Sequence, residues 1–198
     1  MAHDVRGQFP QLYRPGRKDF AEVDVPPMRY LALDGHGDPN TSADYPQAVA
    51  SLYTSAYAVR SAARTRCGEV FVVGPLEGLW SSADPRAFSA RAKGQWDWTM
   101  LIPLPDLVLD EDMHAGLAAA AQRTPQLPIA SVRLLELTEG RSLQIMHIGS
   151  YDDEAPTLAR LHDEVMPALG VTWNGRHHEI YLSDPRRCAP ERMRTVLR

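Results

Sequence analysis

No apolar run in this chain approaches the roughly 20 residues that a membrane-spanning helix requires. The opening MAHDVRGQFP lacks the basic and apolar regions of a secretory signal, so a cytoplasmic location is the default expectation. Like charges form no blocks, and a net charge of −4 with a pI near 6.0 leaves no electrostatic footprint for nucleic acid. Cysteine is scarce: Cys67 and Cys188 are far apart and match no zinc or redox spacing, so two reduced thiols are expected. His177-His178 and the scattered acids show no H-E-x-x-H-type pattern, which predicts no metal and no cofactor. A Gly-rich phosphate loop, a nucleophile elbow and a helix-turn-helix signature are missing as well.

What is present is ordinary globular composition, 44% hydrophobic and 23% charged, and 198 residues suit one domain or two fused halves. Residues 1–27 are polar and Pro-rich and are expected to form an N-terminal arm lying on the body, with a single domain over 28–198. MRYLAL (28–33) predicts a strand, broken by the turn formers of DGHGDPN. Ser42 or Asp44 caps a helix in which Val49, Leu52, Tyr53, Ala56 and Ala63 recur at helical spacing, and Cys67-Gly68 closes it. EVFVV, LEGLWSS and WDWTMLIPL are three β-like runs, followed by a connecting helix at about 108–123.

The second half, about 131–198, opens with SVRLLELTEG and RSLQIMHIG joined by a Thr-Glu-Gly turn. Asp152, Asp153 and Glu154 suit the positive N-terminus of the next helix, whose buried stripe is Leu158, Leu161, Val165 and Ala168. HHEIYLSD is a strand, and MRTVLR either an edge strand or a helical turn. An internal repeat shows through: strand, helix and strand recur as RYLALDG–helix–EGLWSSADPR (first repeat about 28–105) and QIMHIGS–helix–EIYLSDPR. The expected fold is therefore α+β: two pseudo-symmetric strand-helix-strand-strand repeats forming one antiparallel sheet, helices on one face, and a ligand cleft between the repeats.

VPPMRYLALDGHGDPN, PLEGLW, WDWTMLIPLPDLV, QIMHIGSYDDE and HHEIYLSDPRR, in this order, resemble the GyrI-like small-molecule-binding family over nearly the whole chain. The likeness is to its stand-alone branch, which carries no DNA-binding segment. It implies the doubled fold just described and a small-molecule aromatic ligand as partner. Neither nucleic acid nor membrane is implied, and the protein is monomer or dimer. It also implies one of two activities: hydrolysis of cyclopropane-bearing aromatic genotoxins of the cyclopropylpyrroloindole type, or capture of lipophilic, often cationic aromatic compounds without chemistry. Where that branch tends to show Trp-Trp after PLEGL, this chain has Trp80-Ser81, which bears on ligand range.

Glu179 is the leading candidate. Strand alternation puts it on one face with His177 and Tyr181. A strand carboxylate is ordinarily solvated; in an aromatic cleft its pKa rises and it serves as a base. Glu77 either mirrors Glu179 across the pseudo-dyad or holds a turn. Trp80 and Trp98 are expected as ligand walls, although Trp96 and Trp98 equally suit a core. Tyr151, at a helix N-terminus, either donates to a ligand carbonyl or packs on its loop, and Tyr181 orients Glu179. His147, on a strand face with Leu143 and Ile145, is either an interior hydrogen-bonded residue or a ligand contact. The catalytic expectation is thus Glu179, Tyr151 and Glu77, with Trp80, Trp98, Tyr181 and His147 binding the ligand.

Overall fold

The computed structural model describes residues 2–84 and 92–198. Helices α1 (Val5–Gln8) and α2 (Pro10–Tyr13) precede strands β1 (Ala21–Val25) and β2 (Met28–His36). The long helix α3 (Asp44–Cys67) leads to β3 (Leu76–Ser81), β4 (Asp97–Leu104) and helix α4 (Asp110–Arg123). Strands β5 (Arg133–Leu137) and β6 (Gly140–Ile148) follow. A broken helical segment comes next: a 3-10 turn (Tyr151–Glu154), α5 (Ala155–Arg160), a wide π turn (Leu161–Val165) and α6 (Met166–Leu169). Strands β7 (His177–Tyr181) and β8 (Arg194–Leu197) end the chain.

All eight strands join one antiparallel sheet in the order β1-β6-β8-β7-β3-β4-β2-β5. The order is symmetric about the β7–β3 seam: β6, β8 and β7 on one side match β2, β4 and β3 on the other. Each half is flanked by the strand that precedes the opposite half, β1 beside β6 and β5 beside β2. The fold is α+β, with the long helices on one face.

Several local expectations are corrected. β2 runs on through Asp34, Gly35 and His36, and turns at Gly37, where φ is +94°. Gly35 belongs in the strand because the Trp98 ring lies over its α-carbon, across the β2–β4 pair. A Cβ there would overlap that ring, and the ring is itself wedged in the core. Gly35→Ala is therefore expected to cost about 3 kcal/mol by overpacking, lowering Tm by roughly 5–10 °C in a thermal melt. EVFVV forms no strand; its one bridge joins Phe71 to His3. β5 and β6, joined through the Thr-Glu-Gly turn, lie in opposite halves of the sheet, because β5 pairs with β2 of the first repeat while β6 pairs with β8 of its own repeat and with β1. β8 is an interior strand between β6 and β7, so MRTVLR is neither an edge nor a helical turn. The Pro85-Arg86 part of the first Asp-Pro-Arg lies outside the described residues.

α3 begins with the Asp44 N–H donating to the Ser42 hydroxyl at 3.2 Å and ends at Gly68, whose φ of +76° only glycine adopts freely. Its small inward residues (Ala48, Ser51, Ser55, Ala56) let it sit close on Leu31, Leu33, Met100 and Ile102. The second repeat's helix is not its equal. Pro167 removes a backbone donor, the preceding turn widens to the π form, and of the expected stripe Leu161 is buried while Ala168 is exposed.

The sheet face opposite the long helices is covered by the N-terminal segment. Val5, Leu12 and Tyr13 pack there against Tyr30, Ala32, Leu79, Leu101 and Ile180. Beneath them lies a buried polar chain. Tyr13 donates to Glu77 at 3.0 Å, and His178 donates from Nε2 to Glu77 and from Nδ1 to Glu139, both at 2.9 Å. Arg198 closes it on Glu139 at 2.9 Å and also reaches the Leu12 carbonyl at 3.0 Å.

Candidate ligand-binding and catalytic site

The helix-bearing face of the central strands carries Trp80 on β3 and His177, Glu179 and Tyr181 on β7. Pairing brings Trp80 opposite His177 and Gly78 opposite Glu179. A directed hydrogen-bond chain results. The Trp80 indole N–H donates to the Tyr181 oxygen at 2.9 Å, and Tyr181 donates its own proton to Glu179 Oε2 at 2.9 Å. His177 Nε2 stands 3.4 Å from Glu179 Oε1. Gly78 makes room: a Cβ there would lie 2.9 Å from Trp80 Nε1 and 3.1 Å from the Tyr181 oxygen.

Aromatic rings enclose this carboxylate, whose side chain is 15% exposed. Tyr45, from the first turn of α3, stacks on Trp80 at 6.4 Å and meets Trp98 edge-on at 5.3 Å. Trp96 meets Trp80 edge-on at 5.6 Å, and Tyr151 meets Tyr181 edge-on at 5.5 Å. Trp98, expected as a wall, is 2% exposed behind Tyr45, so Tyr45 presents the ring that Trp98 was expected to present. Tyr151 is 39% exposed, at the mouth. His147 lies on the same sheet face, across from Thr195, with Nε2 3.1 Å from the Ser150 carbonyl. Glu77 is not with them. It pairs with Ile180, points through the opposite face and is spent on Tyr13 and His178.

The profile of the GyrI-like small molecule binding domain matches residues 18–197. This chain belongs to the GyrI-like family. A conserved protein from Listeria innocua is 35% identical over 98% of this chain and 97% of its own, with a TM-score of 0.89. A protein of that organism described as a hydrolase is 33% identical over 100% of this chain and 98% of its own, with a TM-score of 0.87. The C-terminal domain of EcmrR, 9% identical over 90% of this chain and 94% of its own, shares the fold at a TM-score of 0.58. No curated protein matches the chain in sequence.

In this GyrI-like domain a second carboxylate, which the sequence reading placed among three interchangeable helix-start acids, turns inward. The 3-10 turn leaves Asp152 and Asp153 exposed and Glu154 4% exposed. Asp153 takes the capping role instead, accepting the Ser150 hydroxyl at 2.7 Å. Burial, and then the charge of Glu179, push the Glu154 pKa up to about 9, so it is protonated near neutral pH. Tyr181 is raised well above its ordinary value by burial and then by Glu179, which keeps its proton in place on the bond to that carboxylate. Burial, and then Glu154, raise Tyr151 to about 12.

The site thus pairs a hydrogen-bonded acceptor, Glu179, with a neutral acid, Glu154, inside a ring of aromatic side chains. Glu154 carries a stability cost with a definite sign. Its folded pKa is raised, so its contribution is favourable below its ordinary 4.5 and is lost as pH rises toward 9. Glu154→Gln is expected to raise stability at neutral pH by about 1–3 kcal/mol and to flatten the fall in Tm on the alkaline side. Melts across pH check this; a variant no more stable than the parent refutes the buried-acid assignment.

Proposed function

We propose that this small-molecule-binding domain is a hydrolase that adds water to a planar aromatic electrophile, specifically opening a spiro-cyclopropane conjugated to a dienone. The observation that carries the reading is the carboxyl pair: Glu179, held at 2.9 Å by Tyr181, and a buried Glu154 whose pKa burial and the charge of Glu179 raise to about 9. Relatives 33% identical over nearly their whole length are described as hydrolases, which supports the reaction class.

Water, oriented by Glu179, attacks the cyclopropane methylene, and its proton passes to that carboxylate. The strained C–C bond breaks, and its electron pair moves through the ring to the carbonyl oxygen, restoring an aromatic ring as a phenolate, which takes a proton from solvent while Glu179 gives up the one it received. Glu154, or Tyr151 at the mouth, donates a hydrogen bond to that oxygen as charge develops there. Tyr45 and Trp80 hold the flat ring so that the methylene faces the water.

Incubation of the protein with a cyclopropylpyrroloindole in heavy-oxygen water tests this by mass spectrometry. The expected product is the ring-opened alcohol carrying the label. Tight binding without that adduct would favour the second reading, a sequestering protein for lipophilic cationic aromatics. The acidic aromatic enclosure also suits that role through cation–π attraction.

A further inference from the structure

β8 ends at Leu197, paired with Ile145, whereas β6 runs back to Gly140 and pairs there with β1. Past the end of β8 the sheet is notched, and Arg141, Ser142 and Leu143 of β6 line a cavity of about 550 Å³. Leu79, Leu161 and Met166 give it an apolar lining, and the exposed Leu169, Val171 and Trp173 stand at its rim. Its volume suits a drug-sized group. Charge in the lining is nearly cancelled. Arg141 forms a two-point pair with Glu22 at 2.8 Å, and Arg198 pairs with Glu139 at 2.9 Å. The wall it shares with the Glu179 site is His177, whose Nε2 stands 3.4 Å from Glu179 Oε1 and makes no hydrogen bond among the described residues.

We propose that this cavity is the specificity subsite of the same centre: an uncharged, flat, lipophilic arm of the substrate lies in it while the reacting carbon sits at Glu179. Such an arm fits a cavity in which Arg141 and Arg198 are paired with carboxylates and Arg176 donates to the Thr99 hydroxyl at 2.9 Å, and Trp173, 56% exposed, offers a flat surface at the entrance. The proposal rests on the small-molecule hydrolase reading above and explains what that reading leaves unused, an apolar cavity one side chain from the carboxylates.

The test uses two spiro-cyclopropyl dienones, one with an acetyl cap and one with an uncharged biaryl amide arm, together with their ring-opened, unreactive alcohols. Leu143→Trp fills the cavity, and Trp173→Ala, at an exposed position, removes the rim without disturbing the core. Both variants are expected to weaken calorimetric binding of the arm-bearing alcohol by about tenfold or more, while kcat/KM for the capped dienone stays within about twofold. Equal losses on both probes, or no loss on the arm-bearing one, would overturn the subsite. If neither dienone is opened by the parent protein, hydrolysis fails as a reading, yet a selective loss of arm binding still upholds the subsite.

Discussion

Glu179→Gln is expected to lower single-turnover ring opening by about 10²–10⁴-fold, the usual worth of a positioned general base. Ligand affinity should hold, because the amide oxygen still accepts the Tyr181 hydroxyl that now reaches Glu179 at 2.9 Å. Folding should hold as well, since removing one negative charge relieves the repulsion that raises Glu154. The variant therefore separates chemistry from binding: rate falls, dissociation constant and melting temperature do not. Undiminished turnover in this variant would sink the mechanism even with water addition confirmed. If affinity for a cationic aromatic collapses instead and the parent shows no turnover, the carboxylate is a counter-charge and the sequestering reading stands.

On the other sheet face, His178→Ala is expected to destabilise the fold by about 3–5 kcal/mol, because it strips the buried Glu77 and Glu139 of a shared cation. In the parent protein burial alone would discharge His178, but Glu139 and Glu77 outweigh it and raise the pKa to about 9. Raised above its ordinary 6.5, this group gives stability that is complete below 6.5 and fades as pH climbs through 9. Burial likewise opposes the charge on Glu139, yet His178 and Arg198 hold it at about 2, so its contribution is present above 4.5 and lost only as pH falls toward 2. With Glu154, whose contribution is lost as pH rises above 4.5, taken together with these two, maximal stability is expected near pH 4.5. Thermal melts should show a parent Tm that declines above about pH 4.5 through Glu154 and more steeply between about pH 6.5 and pH 9 through His178 as well, and a His178→Ala protein that melts far lower and lacks the added steepness. A variant melting within about a degree of the parent would mean that the buried chain contributes nothing.

How much of this was legible in one dimension depends on the interaction involved. Strand alternation alone puts His177, Glu179 and Tyr181 on one face, and the sheet does pair Tyr181 with Glu179 by a hydrogen bond. Gly68 marks a helix end because the left-handed turn there is a local preference of glycine. Glu77 misled for a register reason. Its motif resembles that of Glu179, but Glu179 pairs with Gly78, and a one-residue offset in a sheet reverses the face. Glu154 was hidden among three acids equally fit for a helix start; only the 3-10 turn decides which one turns inward. Tyr45 gave no signal beyond its place in a first helical turn, since its stacking on Trp80 depends on where α3 crosses the sheet.

The sequence by itself determined the doubled α+β plan, the family and the strand that bears Glu179, because hydrophobic period, turn residues and motif order are local properties of the chain. Tertiary structure alone decided which acid stands beside Glu179, which face the N-terminal segment covers and where β8 stops short to leave a cavity. Those outcomes follow from strand register and the crossing of separate elements, and they join residues such as Tyr13 and Glu77, or Trp80 and Tyr181, that no local pattern connects.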